Sequence, residues 1–335
     1  MILRETKTAS LLVADIGGTN ARFALASSRD GDLKIAPPSI LQTADYASLD
    51  LALGHFLEEA GHPRLAGVAA CAAGPVTGKG ERAGIAMTNC PWDVTVAALA
   101  RVSGVVHPRL MNDFEALARS VPALAPEDLH PVESARKGDE CAPVGIIGAG
   151  TGLGVSALLF DGAREIAMSG EGGHVDLAPS SAREEAVLAH LRSRYDHVSA
   201  ERVLSGPGLA ALHATLSALA GEAGTPLSPV EIATRARAGT CAISVEAVQL
   251  FCGWLGAVAG DLALTLGARG GIYIGGGIVP GWLAEAPGLF DEKLFRARFE
   301  AKGRLGPWLS TIPVYVIRRG DAALLGLARA ARDAG

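Results

Sequence analysis

One pattern occurs twice in this chain, and the recurrence narrows the folds open to it. Leu11 to Leu25 reads Leu-Leu-Val-Ala-Asp-Ile-Gly-Gly-Thr-Asn-Ala-Arg-Phe-Ala-Leu, two apolar runs around a polar, glycine-bearing centre. The pattern returns with Val144 to Ile147 and Val155 to Phe160 apolar around Gly148-Ala-Gly-Thr-Gly-Leu-Gly154. Each predicts strand, tight turn, antiparallel strand. Bare glycine amides in such a turn form a concave anion site, and the first turn adds Asp15, Thr19 and Asn20. Singly, either turn serves equally well as a plain surface hairpin. Two of them facing each other could hold a polyphosphate between two lobes, and a third cluster, Gly275-Gly276-Gly277, could admit the flat face of a nucleobase.

Other phosphate-binding patterns fail. The spacing at Gly148 to Gly154 is Gly-x-Gly-x-Gly-x-Gly, and a strand rather than a helix follows, so the dinucleotide fingerprint does not apply. No Gly-x-x-x-x-Gly-Lys-Ser/Thr occurs, which removes the P-loop.

Along the chain, Leu33 to Leu41 supplies a third strand, Ser48 to Ala60 a helix closed by Gly61, and Leu65 to Ala70 another strand. Ala83 to Thr88 reads as extended and Val94 to Val102 as a helix. Val105 to Met111 is a strand that ends in Asn112-Asp113, polar residues where open α/β sheets place their chemistry. A helix covers Phe114 to Arg119, and irregular Val121 to Pro143 marks the junction between two lobes. Helices follow at Ser181 to Tyr195, Gly208 to Ala220, Ser228 to Ala238 and Ile243 to Ala268. Gly271 to Ile278 is a strand ending in glycines, Val314 to Ile317 a last strand, and Ala322 to Ala331 a last helix. Strands alternating with helices give an α/β fold.

Composition restricts function. A net charge of −5 shows no basic excess for a nucleic-acid backbone. The five cysteines are odd in number, widely spaced and lack zinc spacing, as reduced thiols of a cytoplasmic protein do. Arg4 and Lys7 precede a short apolar run broken by Asp15 and Arg22, which argues against a signal peptide. Ile243 to Ala268 contains Glu246, Gln249 and Asp261 and reads as a buried helix rather than a membrane span.

Acids and an imidazole then cluster. Gly170-Glu171-Gly-Gly-His174-Val-Asp176 places an acid and a histidine three residues apart in a glycine-rich loop, and Glu201 follows in Ser199-Ala-Glu-Arg-Val-Leu-Ser-Gly-Pro-Gly208. A lone histidine is more often structural than functional. With Asn112 and Asp113 the set suits a ring of vicinal hydroxyls, because buried acceptors left unpaired by the wrong sugar are costly.

These residues carry a resemblance. The chain resembles the proteobacterial-type glucokinases, members of the actin-like, hexokinase and Hsp70 ATPase superfamily. The matching segments are Ala14-Asp-Ile-Gly-Gly-Thr-Asn-Ala-Arg22, Met87-Thr-Asn89 with Trp92, Asn112-Asp-Phe114, Gly148 to Gly154, Gly170 to Asp176, His197 to Gly208 and Gly275-Gly-Gly-Ile-Val-Pro280, in the family's order.

The resemblance implies a two-lobed, ribonuclease H-like α/β fold with a central cleft, one lobe from 1–122 plus about 318–335, the other from 123–317. It implies ATP-dependent phosphorylation of the C6 hydroxyl of D-glucose, feeding glycolysis, with lobe closure on glucose excluding water. Asp113 matches the catalytic base, and Asn112, Glu171, His174 and Glu201 match the positions that hold the other hydroxyls. Ala14, Asp15, Ile16, Gly17, Gly18 and Thr19, with Gly150, Thr151 and Gly152, match the phosphate loops. Asp15 would hold Mg2+ through water, and Gly275, Gly276 and Gly277 would lie by the adenosine. The family also implies a homodimer with no nucleic-acid or membrane partner, and a final helix that returns to the first lobe. The alternatives are another hexose or N-acetylhexosamine kinase, or a non-catalytic sugar sensor. The zinc-binding cysteine cluster usual in repressor/open-reading-frame/kinase proteins does not follow His174, and no helix-turn-helix fits before Leu11.

Overall fold

The computed structural model describes residues 10–29, 32–87, 90–134, 136–222 and 225–333. The basic N-terminal residues and the Thr88-Asn89 pair of the second matching segment lie outside the described residues. The chain divides into unit 1, 1–124 with 320–335, and unit 2, 125–319.

Unit 1 opens with β1 (Ser10–Ile16) and β2 (Asn20–Arg29), an antiparallel hairpin in which Asp15 faces Arg22. Leu33 to Leu41, expected as one strand, is two. β3 (Asp32–Ile35) pairs with the far half of β2 and β4 (Ser39–Gln42) with the near half. The break falls at Pro37-Pro38, where neither residue has an N–H to give a ladder. α1 (Leu49–Glu59) starts at Ser48, whose hydroxyl accepts from the Leu51 amide. β5 (Leu65–Ala72), the short pair β6 (Gly84–Ile85) and β7 (Val94–Thr95), α2 (Val96–Ser103), β8 (Arg109–Asn112) and α3 (Asp113–Ser120) follow. Of the described part of the expected extended run, Ala83 to Met87, only Gly84–Ile85 is paired.

The sheet order is β3-β2-β1-β5-β8, with β5 and β8 parallel to β1. Period-two alternation sends Leu12, Ala14 and Ile16 into one core with Leu53, Phe56 and Leu99. Leu11 and Val13 enter the opposite core with Leu324, Leu327 and Ala331 of the C-terminal helix (Ala322–Arg332). Each fully buried leucine contributes about 1.5–3 kcal/mol, so both faces of β1 are held.

Unit 2 begins with β9 (Leu129–Pro131), inside the segment expected to be irregular. Then come β10 (Val144–Ala149), β11 (Leu153–Asp161) and β12 (Arg164–Gly170), followed by α4 (Ala182–Arg192), α5 (Gly206–Leu219), α6 (Pro229–Ala238) and α7 (Ala242–Leu266). β13 (Gly271–Gly275), α8 (Ile278–Glu285), α9 (Glu292–Glu300), α10 (Gly306–Leu309) and β14 (Val314–Ile317) complete it. β12 and α9 fall where the sequence predicts no element. α7 is long and apolar enough to cross a membrane, yet 56% of its most apolar window is buried within the protein, and Phe251, Trp254 and Leu255 anchor the unit 2 core.

The second sheet runs β12-β11-β10-β13-β14-β9. Without β9 its order repeats the first sheet: a three-stranded antiparallel meander, then two strands parallel to the first. This doubled unit is the ribonuclease H-like arrangement that the resemblance implied.

Candidate functional site

In unit 1, β1, β5 and β8 run parallel and end at one edge of the sheet, with Ile16, Ala72 and Asn112 as their last residues. Register places Asp15 beside Cys71 and Cys71 beside Met111. The Cys71 thiol donates to Asp15 Oδ1 at 3.5 Å, while Arg22 lies 3.7 Å from Oδ2. Burial raises the Asp15 carboxyl above its usual range, against the pull of Arg22 and the thiol. Burial also pushes the Cys71 thiol well up, reinforced by the charges of Asp15 and Asp113. Cys71 therefore keeps its proton and donates it to Asp15.

The β1–β2 turn is held by its carbonyls. Gly17 N donates to Asn20 O at 2.9 Å, Thr43 Oγ1 to Gly18 O at 2.7 Å and Thr43 N to Thr19 O at 2.9 Å. Among the described residues the amides of Gly18 and Thr19 donate to no protein acceptor, and Thr19 is exposed. Ala14 and Ile16 are buried and fix the strand beneath. The turn thus presents donors, as an anion site requires.

Asn112 caps α3. Its Oδ1 accepts from Phe114 N at 2.9 Å and its Nδ2 donates to Gly74 O at 3.1 Å. Asp113 opens the helix, where the positive end of the macrodipole favours a carboxylate; its Oδ1 also accepts from Phe114 N at 2.9 Å.

Unit 2 brings its residues together in two groups joined by one segment. Glu171 and His174 flank a 3-10 turn over Gly172–His174, with His174 Nε2 4.0 Å from Glu171 Oε2 and both side chains more than half exposed. The second hairpin turn closes through Gly150 N to Gly152 O at 2.8 Å, and Thr151 stands exposed at its tip. Glu201 belongs with this turn: Leu153 N donates to its Oε2 at 2.8 Å. A Cβ on Gly152 would stand 2.5 Å from the same oxygen, so a side chain there would make the carboxylate shift away from the turn.

The third glycine cluster also touches the hairpin. Gly148 pairs with Gly275 across β10 and β13, and Gly276 has φ +76° with its would-be Cβ 2.4 Å from Ala149 O. Both its backbone conformation and its space demand glycine. Gly277 precedes the first turn of α8. Beside it a cavity of 360 Å3 is lined by Leu209, Pro229, Thr234, Ile278, Trp282 and Glu285. That volume falls in the range of about 300–1,000 Å3 of small-ligand sites. These lining residues come from α5, α6 and α8, and of them only Ile278 stands in a motif, the segment that opens with Gly275 to Gly277. A larger cavity of 600 Å3, against Trp254 and Leu262, borders no glycine turn of the hairpins.

Among the described residues no three acids, imidazoles or thiols converge into a protein-only metal cage. Mg2+ typically takes one or two carboxylates and leaves its other positions to water and substrate phosphates, and a single acid beside a donor-rich turn fits that habit.

The sequence profile of the family described as Glucokinase matches residues 12–334. A glucokinase of Aromatoleum aromaticum is 46% identical over 331 residues, covering 96% of this chain and 95% of the relative. The crystal structure of a glucokinase from an Antarctic psychrotroph superposes with a TM-score of 0.86 at 33% identity, covering 97% of this chain and 99% of that one. A Streptomyces griseus glucokinase of the repressor/open-reading-frame/kinase family, solved with glucose and AMPPNP, shares the fold at a TM-score of 0.59 and 20% identity, with 97% of this chain and all of that one covered (100%).

Proposed function

The chain belongs to the glucokinase family, ATP-dependent kinases of glucose, and we propose from that premise that it transfers the γ-phosphoryl group of ATP to the C6 hydroxyl, giving glucose 6-phosphate for glycolysis. Asp113 is the base in this reading. The transfer is in line and its transition state loose, so the carboxylate orients the hydroxyl and takes its proton late. Asn112, Glu171, His174 and Glu201 receive the remaining hydroxyls. The amides of Gly18 and Thr19, with the Gly150–Gly152 turn, face the phosphate oxygens. The nucleoside lies against Gly275 to Gly277 and enters the cavity beside α8.

Mg2+ belongs at Asp15, through water, where it would neutralise charge on the phosphates. The reading extends to a cytoplasmic homodimer with neither nucleic acid nor membrane as partner. One observation carries the assignment of chemistry: three parallel strands deliver Asp15, Cys71 and Asn112-Asp113 to one sheet edge. A coupled assay with ATP and Mg2+ across glucose, mannose, fructose and N-acetylglucosamine tests it. Preference for glucose is expected; equal rates on all four sugars would overturn the glucose assignment.

A further inference from the structure

Glu201 has one oxygen committed within the protein. Its Oε2 accepts from the Leu153 amide at 2.8 Å, at the base of the β10–β11 turn. Five residues on, Gly206 N donates to Gly150 O at 2.8 Å, so the same segment grips the turn twice. At its other end the segment is tied to the Glu171–His174 loop. His197 Nε2 lies 2.9 Å from His174 O, Ala200 N donates to Val175 O at 2.9 Å, and Asp176 forms a bridge with Ser199. His197 to Gly206 is thus a short strap, hydrogen-bonded at one end to the acid and histidine loop and at the other to the glycine turn.

We propose that Glu201 is a positioning residue for the Gly150–Gly152 turn, and that the strap makes sugar and nucleotide raise each other's affinity within unit 2. This rests on the kinase reading above. A sugar hydroxyl on Oε1 fixes the carboxylate rotamer whose Oε2 anchors Leu153 N. The turn is then ordered before the phosphates arrive, and a ligand that binds an already ordered site binds more tightly. Coupling of binding free energies is reciprocal, so bound nucleotide tightens sugar by the same factor. Gly152 is part of the device, since any side chain there displaces the carboxylate.

Calorimetric titration with MgADP, with and without glucose, reads this without turnover. Wild type is expected to bind MgADP at least about fivefold more tightly when glucose is bound, the lower end of usual allosteric coupling. Glu201→Ala should weaken MgADP binding even without sugar and bring the coupling factor to one. Glu201→Gln keeps an oxygen for the Leu153 amide and should retain sugar-free nucleotide affinity. Gly152→Ala, which leaves the acid in the chain, should behave like Glu201→Ala, and serves if that variant fails to fold. Unchanged MgADP affinity in Glu201→Ala or in Gly152→Ala overturns the proposal. Wild type that binds neither glucose nor MgADP would instead defeat the kinase reading on which it stands.

Discussion

The two sheets share one strand order, yet their carboxyl ends are chemically opposite. In unit 1, β1 and β8 end in acid: Asp15 beside a thiol, and Asn112-Asp113 entering a helix. In unit 2, the corresponding β10 ends in Ala149, with Gly148 at the place of Asp15, and β14 ends in Ile317, followed by Arg318 where unit 1 carries Asp113. The unit 2 turn takes its acid from a distant segment through Glu201. A duplicated topology therefore fixes where a ligand can meet backbone amides, while the charge at each site is set by individual residues. In the reading proposed above, unit 1 supplies groups for proton and metal chemistry, and unit 2 supplies room and hydroxyl acceptors.

The sharpest way to break this contrast is to neutralise the acid end. Asp113→Asn keeps the cap of α3 and should lower kcat by a factor of about 10^2–10^4, the usual worth of a positioned base, with glucose affinity by calorimetry changed far less. Wild-type turnover in Asp113→Asn would leave unit 1 without its assigned role.

On the glycine side, Gly276→Ala puts a Cβ into Ala149 O at a positive φ. A strained backbone of this kind costs of order 1–3 kcal/mol, so nucleotide affinity should fall about tenfold or the melting temperature should drop by several degrees. A variant that matches wild type in both would mean that the closeness of β10 and β13 is incidental.

The smallest effect separates the units by pH. His213 on α5 is buried, its Nε2 has no hydrogen-bond partner among the described residues, and burial followed by the charge of Arg235 lowers its pKa below the ordinary 6.5. The unfolded chain takes up this proton first as pH falls. The stability His213 contributes is thus complete above about pH 6.5 and is lost as pH falls through the depressed folded value. Denaturant titrations at pH 7 and pH 5.5 should show a smaller acid loss in His213→Gln than in wild type; equal losses would refute the assignment.

Much of this was legible in the sequence because it rests on local rules. Hairpins announce themselves through apolar runs around glycine, and helix starts through serine caps such as Ser48 and the Ser228–Glu231 capping box. What escaped lacks a local signal. β12 is an edge strand whose burial alternates from Arg164 to Met168 but puts apolar Ile166 and Met168 on the exposed side, so hydropathy runs against burial. α9 buries Arg296, whose guanidinium donates to Ile312 O, Leu309 O and Ser310 O, where a pattern reading turns arginine outward. β9 exists only because β14, nearly two hundred positions later, is there to pair with it. In the candidate site, the acids and glycines stood in motifs. The alliance of Glu201 with Leu153 and the cavity beside α8 depend on segments far apart in the chain.

The C-terminal helix has a consequence for biosynthesis. Leu324, Leu327 and Ala331 cover the face of the first sheet formed by Leu11, Val13 and Cys71, so β1 waits for a helix made some three hundred residues later. Chains fold as they leave the ribosome, usually from the amino end. Here the middle unit can close while the first sheet still shows one apolar face to solvent. A nascent chain stalled before Ala322 would hold that face open, a standing target for chaperones and for aggregation.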